Sequence, residues 1–362
     1  MPELAWLLAL HSLNKLGALK LNKLLEAFGG SAEAAWREPE KWRSAIACNA
    51  EHAAELLAAR QNCSVEQVYD NYLKSGATVI TPADIKYPYL LKQIYAPPPL
   101  LFYIGELPTD DDICLAIIGS RRASGYGYQA AEMLARDLAA QGLWIVSGMA
   151  RGIDGICHQH AILAGGKTIA VLGGGVDIIY PREHKKLYYS IIENGAVISE
   201  SPLGAIPAAF NFPLRNRIIS GLSRGVLVVE AGEKSGTLIT VDHALEQGRD
   251  VFAVPGPITN PLSRGTNRLL ADSCAKLVQS AEDVWREYLD APKPILSNAE
   301  KEARPQLAEE ERELLLRMIS PQHFDQLLAI SNWPPNKLAA LLTMWEIRGL
   351  IRQLPGRYYQ RR

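Results

Sequence analysis

Glycines in short runs, with cations and rings beside them, are the residues of this chain whose spacing suits binding a phosphate. Gly119-Ser120-Arg121-Arg122 follows an apolar run and precedes Gly125 and Gly127 at the start of a helical pattern. Glycine lets a backbone approach a ligand closely, a helix N-terminus favours an anion, and Arg121 adds a bidentate phosphate contact. A second cluster, Gly173-Gly174-Gly175, leads through Tyr180-Pro181 to Lys185, Lys186 and Tyr188. A third, Phe212-Pro213-Leu214-Arg215-Asn216-Arg217, and a fourth, Ser235-Gly236-Thr237, complete the set. Cations of this kind neutralise a phosphate backbone, and rings stack on bases at about 1–3 kcal/mol per base. The expected nucleic-acid contacts are therefore Gly119, Ser120, Arg121, Arg122, Gly173, Gly174, Lys185, Lys186, Tyr188, Phe212, Arg215, Asn216, Arg217, Ser235, Gly236 and Thr237. Structural duties compete for several of them. Arg217 and Asn216 read equally as buried residues paired with Glu230 or Asp154. Phe212 reads equally as core. Tyr188, at helical spacing from Ile191 and Ile192, reads equally as packing on a sheet. Asp154, Asp177 and Glu230 read as structural acids.

The residues that enzymes of this size use are missing or misplaced. No GxxxxGK[ST], GxSxG or HExxH motif occurs. The seven histidines do not cluster at metal spacing. His158 and His160 stand two apart on an expected helix and so on different faces, and His158 reads as a structural hydrogen-bonder. The strand that ends Val146-Ser147-Gly148 lacks the acid a dinucleotide-dependent oxidoreductase needs for its ribose. The Ser235-Gly236-Thr237 turn is similar to that of the nucleotide phosphoribohydrolases, which carry Pro-Gly-Gly-x-Gly-Thr-x-x-Glu. Here Thr240 stands at the glutamate position. The expectation is a protein that is not an enzyme and needs no cofactor, the alternative being a nucleotide-binding, phosphoribohydrolase-like enzyme on the same scaffold.

These blocks need elements to position them. Apolar runs of four to six residues, Leu115–Ile118, Leu143–Val146, Thr168–Leu172, Val226–Val229 and Val251–Val254, alternate with helical patterns such as Gln129–Gln141 and Leu238–Gln247. Buried strands alternating with helices give a parallel sheet covered on both faces. The fold class is α/β, a Rossmann-like doubly wound parallel sheet over 81–290. Ligands in such sheets bind beyond the carboxyl ends of the strands, where these glycines and cations fall. Residues 1–80 read as a small helical domain, with helices at Leu4–Leu10, Leu19–Phe28 and Ala50–Ala59. Leu16-Gly17-Ala18, Lys20, Lys23 and Gly29-Gly30 give it a SAM or helix-hairpin-helix likeness. A polar, proline-bearing linker covers 291–307. Residues 308–362 read as a winged helix: helices at Glu309–Ile319, Phe324–Ile330 and Pro335–Arg348, then a wing. Arg348, Arg352, Arg357, Arg361, Arg362, Tyr358 and Tyr359 make that end basic.

The run from Ile113 to Val278 resembles the DprA/Smf family, the DNA-processing proteins of bacterial natural transformation. Phe212–Ser223 and Ser235–Thr240 are its most distinctive blocks. The resemblance implies a domain that binds single-stranded DNA without much sequence preference, dimerises, and loads the RecA recombinase onto incoming DNA. Two departures stand out. His184 occupies a position where asparagine is common, and Ser273-Cys274 replaces Gly-Ala.

With 362 residues, 48% hydrophobic, the chain can build one full domain and small satellites. A net charge of −1 means that any charge facing nucleic acid is local. The five cysteines form no CxxC or CxxH pair, which argues against a zinc site or disulfide framework. Pro2 and Glu3 stand where a signal peptide is basic, and no apolar run spans a bilayer. A cytoplasmic protein with no membrane contact is expected.

Overall fold

The computed structural model describes residues 1–13, 16–289, 311, 314–315, 318, 321–331, 333–347, 351–354 and 356–361. They divide into two compact units, Met1–Pro294 and Ile295–Arg362.

In the first unit, helices α1 (Glu3–Ser12), α2 (Ala18–Ala27), α3 (Ala32–Arg37), α4 (Trp42–Ala45), α5 (Ala50–Gln61) and α6 (Val65–Ser75) come first. Side-chain caps start several of them. Ser31, Asn49 and Ser64 each accept from a backbone N–H one turn on, as N-cap residues do. Gly76, at φ +70°, ends α6 in the left-handed conformation. Strand β1 (Thr78–Ile80), helix α7 (Tyr89–Lys92) and strand β2 (Leu101–Gly105) lead into the sheet.

Strands and helices then alternate: β3 (Cys114–Ile118), α8 (Gly125–Ala140), β4 (Trp144–Ser147), α9 (Ile153–Leu163), β5 (Thr168–Val171), α10 (Lys185–Glu193), β6 (Gly195–Ser199), α11 (Asn211–Leu222), β7 (Gly225–Val228), α12 (Thr237–Glu246), β8 (Asp250–Ala253), α13 (Arg264–Ala271), β9 (Lys276–Leu277) and α14 (Ala281–Leu289). The sheet runs β1-β2-β6-β5-β4-β3-β7-β8-β9. Its seven strands from β6 to β9 are mutually parallel, and β2 joins antiparallel, Tyr103 opposite Ile198. The doubly wound parallel sheet expected from the apolar runs is present. β6 has no counterpart among those runs because its apolar stretch is only Ala196–Ile198. The antiparallel β1 and β2 carry no alternating signal at all.

Successive side chains of a strand point to opposite faces. Leu115 and Ile117 therefore meet Leu134 and Leu138 of α8 and Ile153 of α9, while Ala116 and Ile118 share the other core with Ile218 and Leu222 of α11. The early helices bury their own core, which also takes in Leu100, Phe102 and Val176. Phe102 sits on β2 and Val176 on the loop after β5, so the helical layer packs directly behind that loop.

The second unit contains β10 (Gln322–His323), α15 (Phe324–Ser331), α16 (Pro335–Ile347), β11 (Ile351–Leu354) and β12 (Tyr358–Arg361). The strands form an antiparallel sheet in the order β10-β12-β11, the wing of a winged helix. Trp345, Leu342, Leu327 and Ile351 fill its core. On the wing Arg357 stands over Phe324 at 4.7 Å. The linker, Arg348, Arg362 and most of the expected helix Glu309–Ile319 lie outside the described residues. No helix among the described residues is long and apolar enough to cross a membrane.

Candidate nucleic-acid interface

β3, the first strand of the parallel set, has β4 on one side and β7 on the other, and the chain winds away from it in both directions. Loops diverge at such a switch point and leave a crevice. A groove of about 840 Å³ opens there, lined by Gly119–Arg122, Asp154, Tyr180, Phe212, Asn216 and Ser235–Thr237, among others. A small recess of about 30 Å³ continues it past Gly173, Gly174, Arg151 and Pro181.

Arg121 and Arg122 are both exposed at the groove, and neither has a carboxylate within ion-pair distance among the described residues. The Arg121 guanidinium stands 5.1 Å from the centroid of the Phe212 ring. Tyr180 adds a second ring, 6.0 Å from Phe212 and tilted by 38°. A cation stacked on a half-exposed ring, beside another exposed ring, offers one planar surface for a base and one fork for a phosphate.

The glycines serve the protein as much as a ligand. A Cβ on Gly119 would lie 2.6 Å from the Ile153 side chain, and one on Gly174 would lie 2.6 Å from the Ala205 carbonyl oxygen. A Cβ on Gly173 would press on Phe212 at 3.1 Å. Gly236 alone of the four expected glycines faces open space. The hydroxyls tie the loops together. Ser235 Oγ donates to Thr237 Oγ1 at 3.0 Å, and Thr237 Oγ1 donates to the Gly119 carbonyl at 3.2 Å. Ser120 Oγ accepts from the Arg122 N–H at 3.1 Å.

Three expected contacts, Arg215, Arg217 and Tyr188, are corrected, and two lie outside the groove lining. Arg215 is buried and donates to the carbonyls of Gly148, at 2.8 Å, and Val171. Burial lowers its pKa to about 10, against the pull of Asp154, so it is charged at neutral pH but occupied by backbone. A Cβ on Gly148 would strike its guanidinium, which explains that glycine. Arg217 makes a two-armed bridge to Glu200, at 2.9 and 2.6 Å, instead of meeting a phosphate, Glu230 or Asp154. Tyr188 on α10 is buried against the sheet and donates its hydroxyl to the Val176 carbonyl at 2.6 Å, so no base can stack on it. Lys185 and Lys186 are exposed at the start of α10, but neither lines the groove; Lys186 lines a separate cleft of about 470 Å³. The reason is common to Arg215, Arg217 and Tyr188: helical register turned these side chains to internal partners.

The acids are structural. The Glu230 carboxylate accepts from the Ser124 N–H at 2.8 Å, from its hydroxyl at 2.6 Å, and from Asn260 Nδ2 at 3.1 Å, fixing the start of α8. Asp177 accepts from the Gly204 N–H at 2.9 Å. Burial pushes the Asp154 carboxyl up, opposed by Arg215 and by the N–H groups of Ala150 and Gly148. His184, the departure noted above, turns Nδ1 to the Met149 carbonyl at 3.1 Å and braces the loop after β4.

Two lining residues went unlisted by sequence reasoning. Tyr180 stands in a quoted motif and Arg151 three residues beyond Val146-Ser147-Gly148, but nothing in their spacing marks them as facing the recess. Both lie on loops that follow parallel strands, Arg151 after β4 and Tyr180 after β5, which was the available signal.

A family model described as DNA recombination-mediator protein A matches residues 78–289, and one described as DprA winged helix domain matches residues 298–357. The DNA processing protein DprA of Bacillus subtilis (strain 168) is 41% identical over 241 residues, 64% of this chain and 81% of that protein. The X-ray structure of DNA processing protein A from Streptococcus pneumoniae matches with a TM-score of 0.69 at 37% identity, covering 78% of this chain and 97% of that one. A structure describing the single-stranded DNA binding mode of DNA processing protein A from Helicobacter pylori matches with a TM-score of 0.53 at 30% identity, over 58% and 94% of the two chains.

Proposed function

The chain belongs to the DprA/Smf family of DNA-processing proteins, and from that premise we propose that it binds single-stranded DNA along the groove beyond β3 and β7. One observation carries the reading: the Arg121 guanidinium stacked on Phe212 in an open groove, with no carboxylate partner among the described residues. A strand needs charge for its phosphates and rings for its bases, and the groove offers both within one side-chain contact. The relative from Helicobacter pylori, whose structure concerns single-stranded DNA binding, supports the same ligand.

In its finer part the proposal is a cytoplasmic homodimer that protects incoming DNA in natural transformation and passes it to the RecA recombinase, as the family resemblance implies. The protein acts by binding rather than by catalysis. Supporting this, Asp154 at the groove and Glu230 behind it are committed to backbone and side-chain partners, and Thr240 is buried where the hydrolases with a similar turn carry their glutamate.

Titration with fluorescent oligo-dT and matching duplex, at low and moderate salt, tests the reading. The single strand is expected to bind preferentially and to weaken steeply with salt. Arg121→Ala should weaken binding by about ten-fold or more while leaving the thermal melt unchanged, because Arg121 is exposed. Equal affinity of the variant would remove Arg121 from the interface. No binding of either DNA would send the search to small nucleotides.

A further inference from the structure

Arg151 is a further exposed arginine at this site, and it differs from Arg121 and Arg122 in being held. Its Nε donates to the Glu183 carboxylate, and both side chains are largely exposed, 61% and 49%. Arg151 lines the recess together with Arg121, Gly173, Gly174, Tyr180 and Phe212. Glu183 does not line it. It sits on the turn after Tyr180-Pro181 and faces the neighbouring cleft, which it shares with His184 and Lys186. The ion pair thus forms a sill between two hollows, its cation on the side of the proposed strand and its anion on the other.

Resting on the reading that the groove takes single-stranded DNA, we infer that Arg151 is a further phosphate-binding residue and that Glu183 is its intramolecular competitor. In the free protein the Glu183 carboxylate accepts from the Arg151 Nε–H and neutralises the guanidinium. A strand lying in the groove brings a phosphate to the mouth of the recess, where the same guanidinium offers it a bidentate fork. The exchange is cheap because an exposed pair is weak. The released carboxylate turns into the cleft, where Lys186 stands as a replacement cation. Glu183 therefore sets a threshold: it lowers affinity for any short or weak anion that cannot displace it, and a strand also held at Arg121 passes it.

Oligo-dT affinities of wild type, Glu183→Gln, Arg151→Ala and the double variant, with the salt dependence of each, test this. Glu183→Gln should bind about two- to five-fold tighter, the yield of freeing an exposed pair. Arg151→Ala should bind more weakly, with a log–log salt slope shallower by about 0.7, one phosphate contact to a single strand. The decisive term is the double variant. If Glu183 acts through Arg151, adding Glu183→Gln to Arg151→Ala changes nothing. A gain in affinity as large in that background as in wild type would mean that Glu183 merely repels DNA from a distance, and would overturn the inference. So would an unchanged affinity of both single variants beside a wild type that binds. Absence of binding by wild type itself would instead overturn the single-stranded DNA reading and this inference with it.

Discussion

Arg121 and Arg215 lie in one groove with their guanidinium groups 5.1 and 5.8 Å from the same Phe212 ring, and their surroundings give them different work. Arg121 is exposed and exchangeable. Arg215 is buried, with two backbone carbonyls as acceptors and Asp154 as the counter-charge. Removing Arg215 takes the counter-charge from buried Asp154 and a donor from two carbonyls, which costs about 3–5 kcal/mol. Arg215→Ala should therefore shift the urea unfolding midpoint far down, and any loss of DNA binding should follow loss of fold. A near-wild-type midpoint would contradict the structural role. Sequence reasoning saw two cations in Phe212–Arg217 and the surroundings of neither of them. A helix starting at Asn211 turns Arg215 inward and carries Arg217 to Glu200, and only the packed neighbours decide which of the set meets solvent.

At the scale of elements, the departure Ser273-Cys274 has a conformational consequence. Ser273 follows α13 at φ +56°, in the left-handed region, where the glycine usual in the family rests without strain. A non-glycine residue pays roughly 1–2 kcal/mol there. Ser273→Gly should accordingly raise the thermal midpoint by a few degrees, with DNA affinity unchanged because the residue lies outside the groove lining. A lower midpoint would mean that chain entropy in the unfolded state outweighs the relief. Element boundaries read from sequence came close wherever period and caps agreed: the expected Phe324–Ile330 is Phe324–Ser331, and Leu238–Gln247 is Thr237–Glu246. Where an element is short and its side chains make contacts far along the chain, as in β1 with β2, no local pattern exists to read.

Across the whole first unit, stability should depend on pH through a buried histidine. His158 is inaccessible, and burial lowers its pKa to about 3, with smaller repulsion from His184 and Arg215. The Thr168 hydroxyl donates to the Ile145 carbonyl at 2.6 Å, so its oxygen accepts from His158 Nδ1 at 2.7 Å, which makes the ring the neutral Nδ1–H tautomer. Nε2 has no partner among the described residues, and a proton there would be unsatisfied. The folded pKa is below the unfolded value near 6.5, so the folded state binds fewer protons. Its contribution is complete above about pH 6.5 and is lost as pH falls towards 3. Between pH 7 and pH 5 this residue alone should cost about 2 kcal/mol of unfolding free energy. Urea unfolding at both values should show that loss in wild type and a smaller one in His158→Gln; equal losses would assign the acid sensitivity elsewhere.

The sequence by itself determined the alternation of buried strands and helices, the switch-point location of the glycine and cation blocks, and the family. Each of those rests on local periodicity or on contiguous motifs, which survive without knowledge of neighbours. Tertiary structure alone decided that Arg121, Arg122 and Phe212 face the groove while Arg215, Arg217 and Tyr188 serve the frame. It also decided that Arg151 reaches the recess under the hold of Glu183. Those outcomes depend on which side chain, brought from a distant part of the chain, occupies the space beside each charge. Burial and counter-charge are properties of that assembled neighbourhood and are not written in the spacing of residues along one segment.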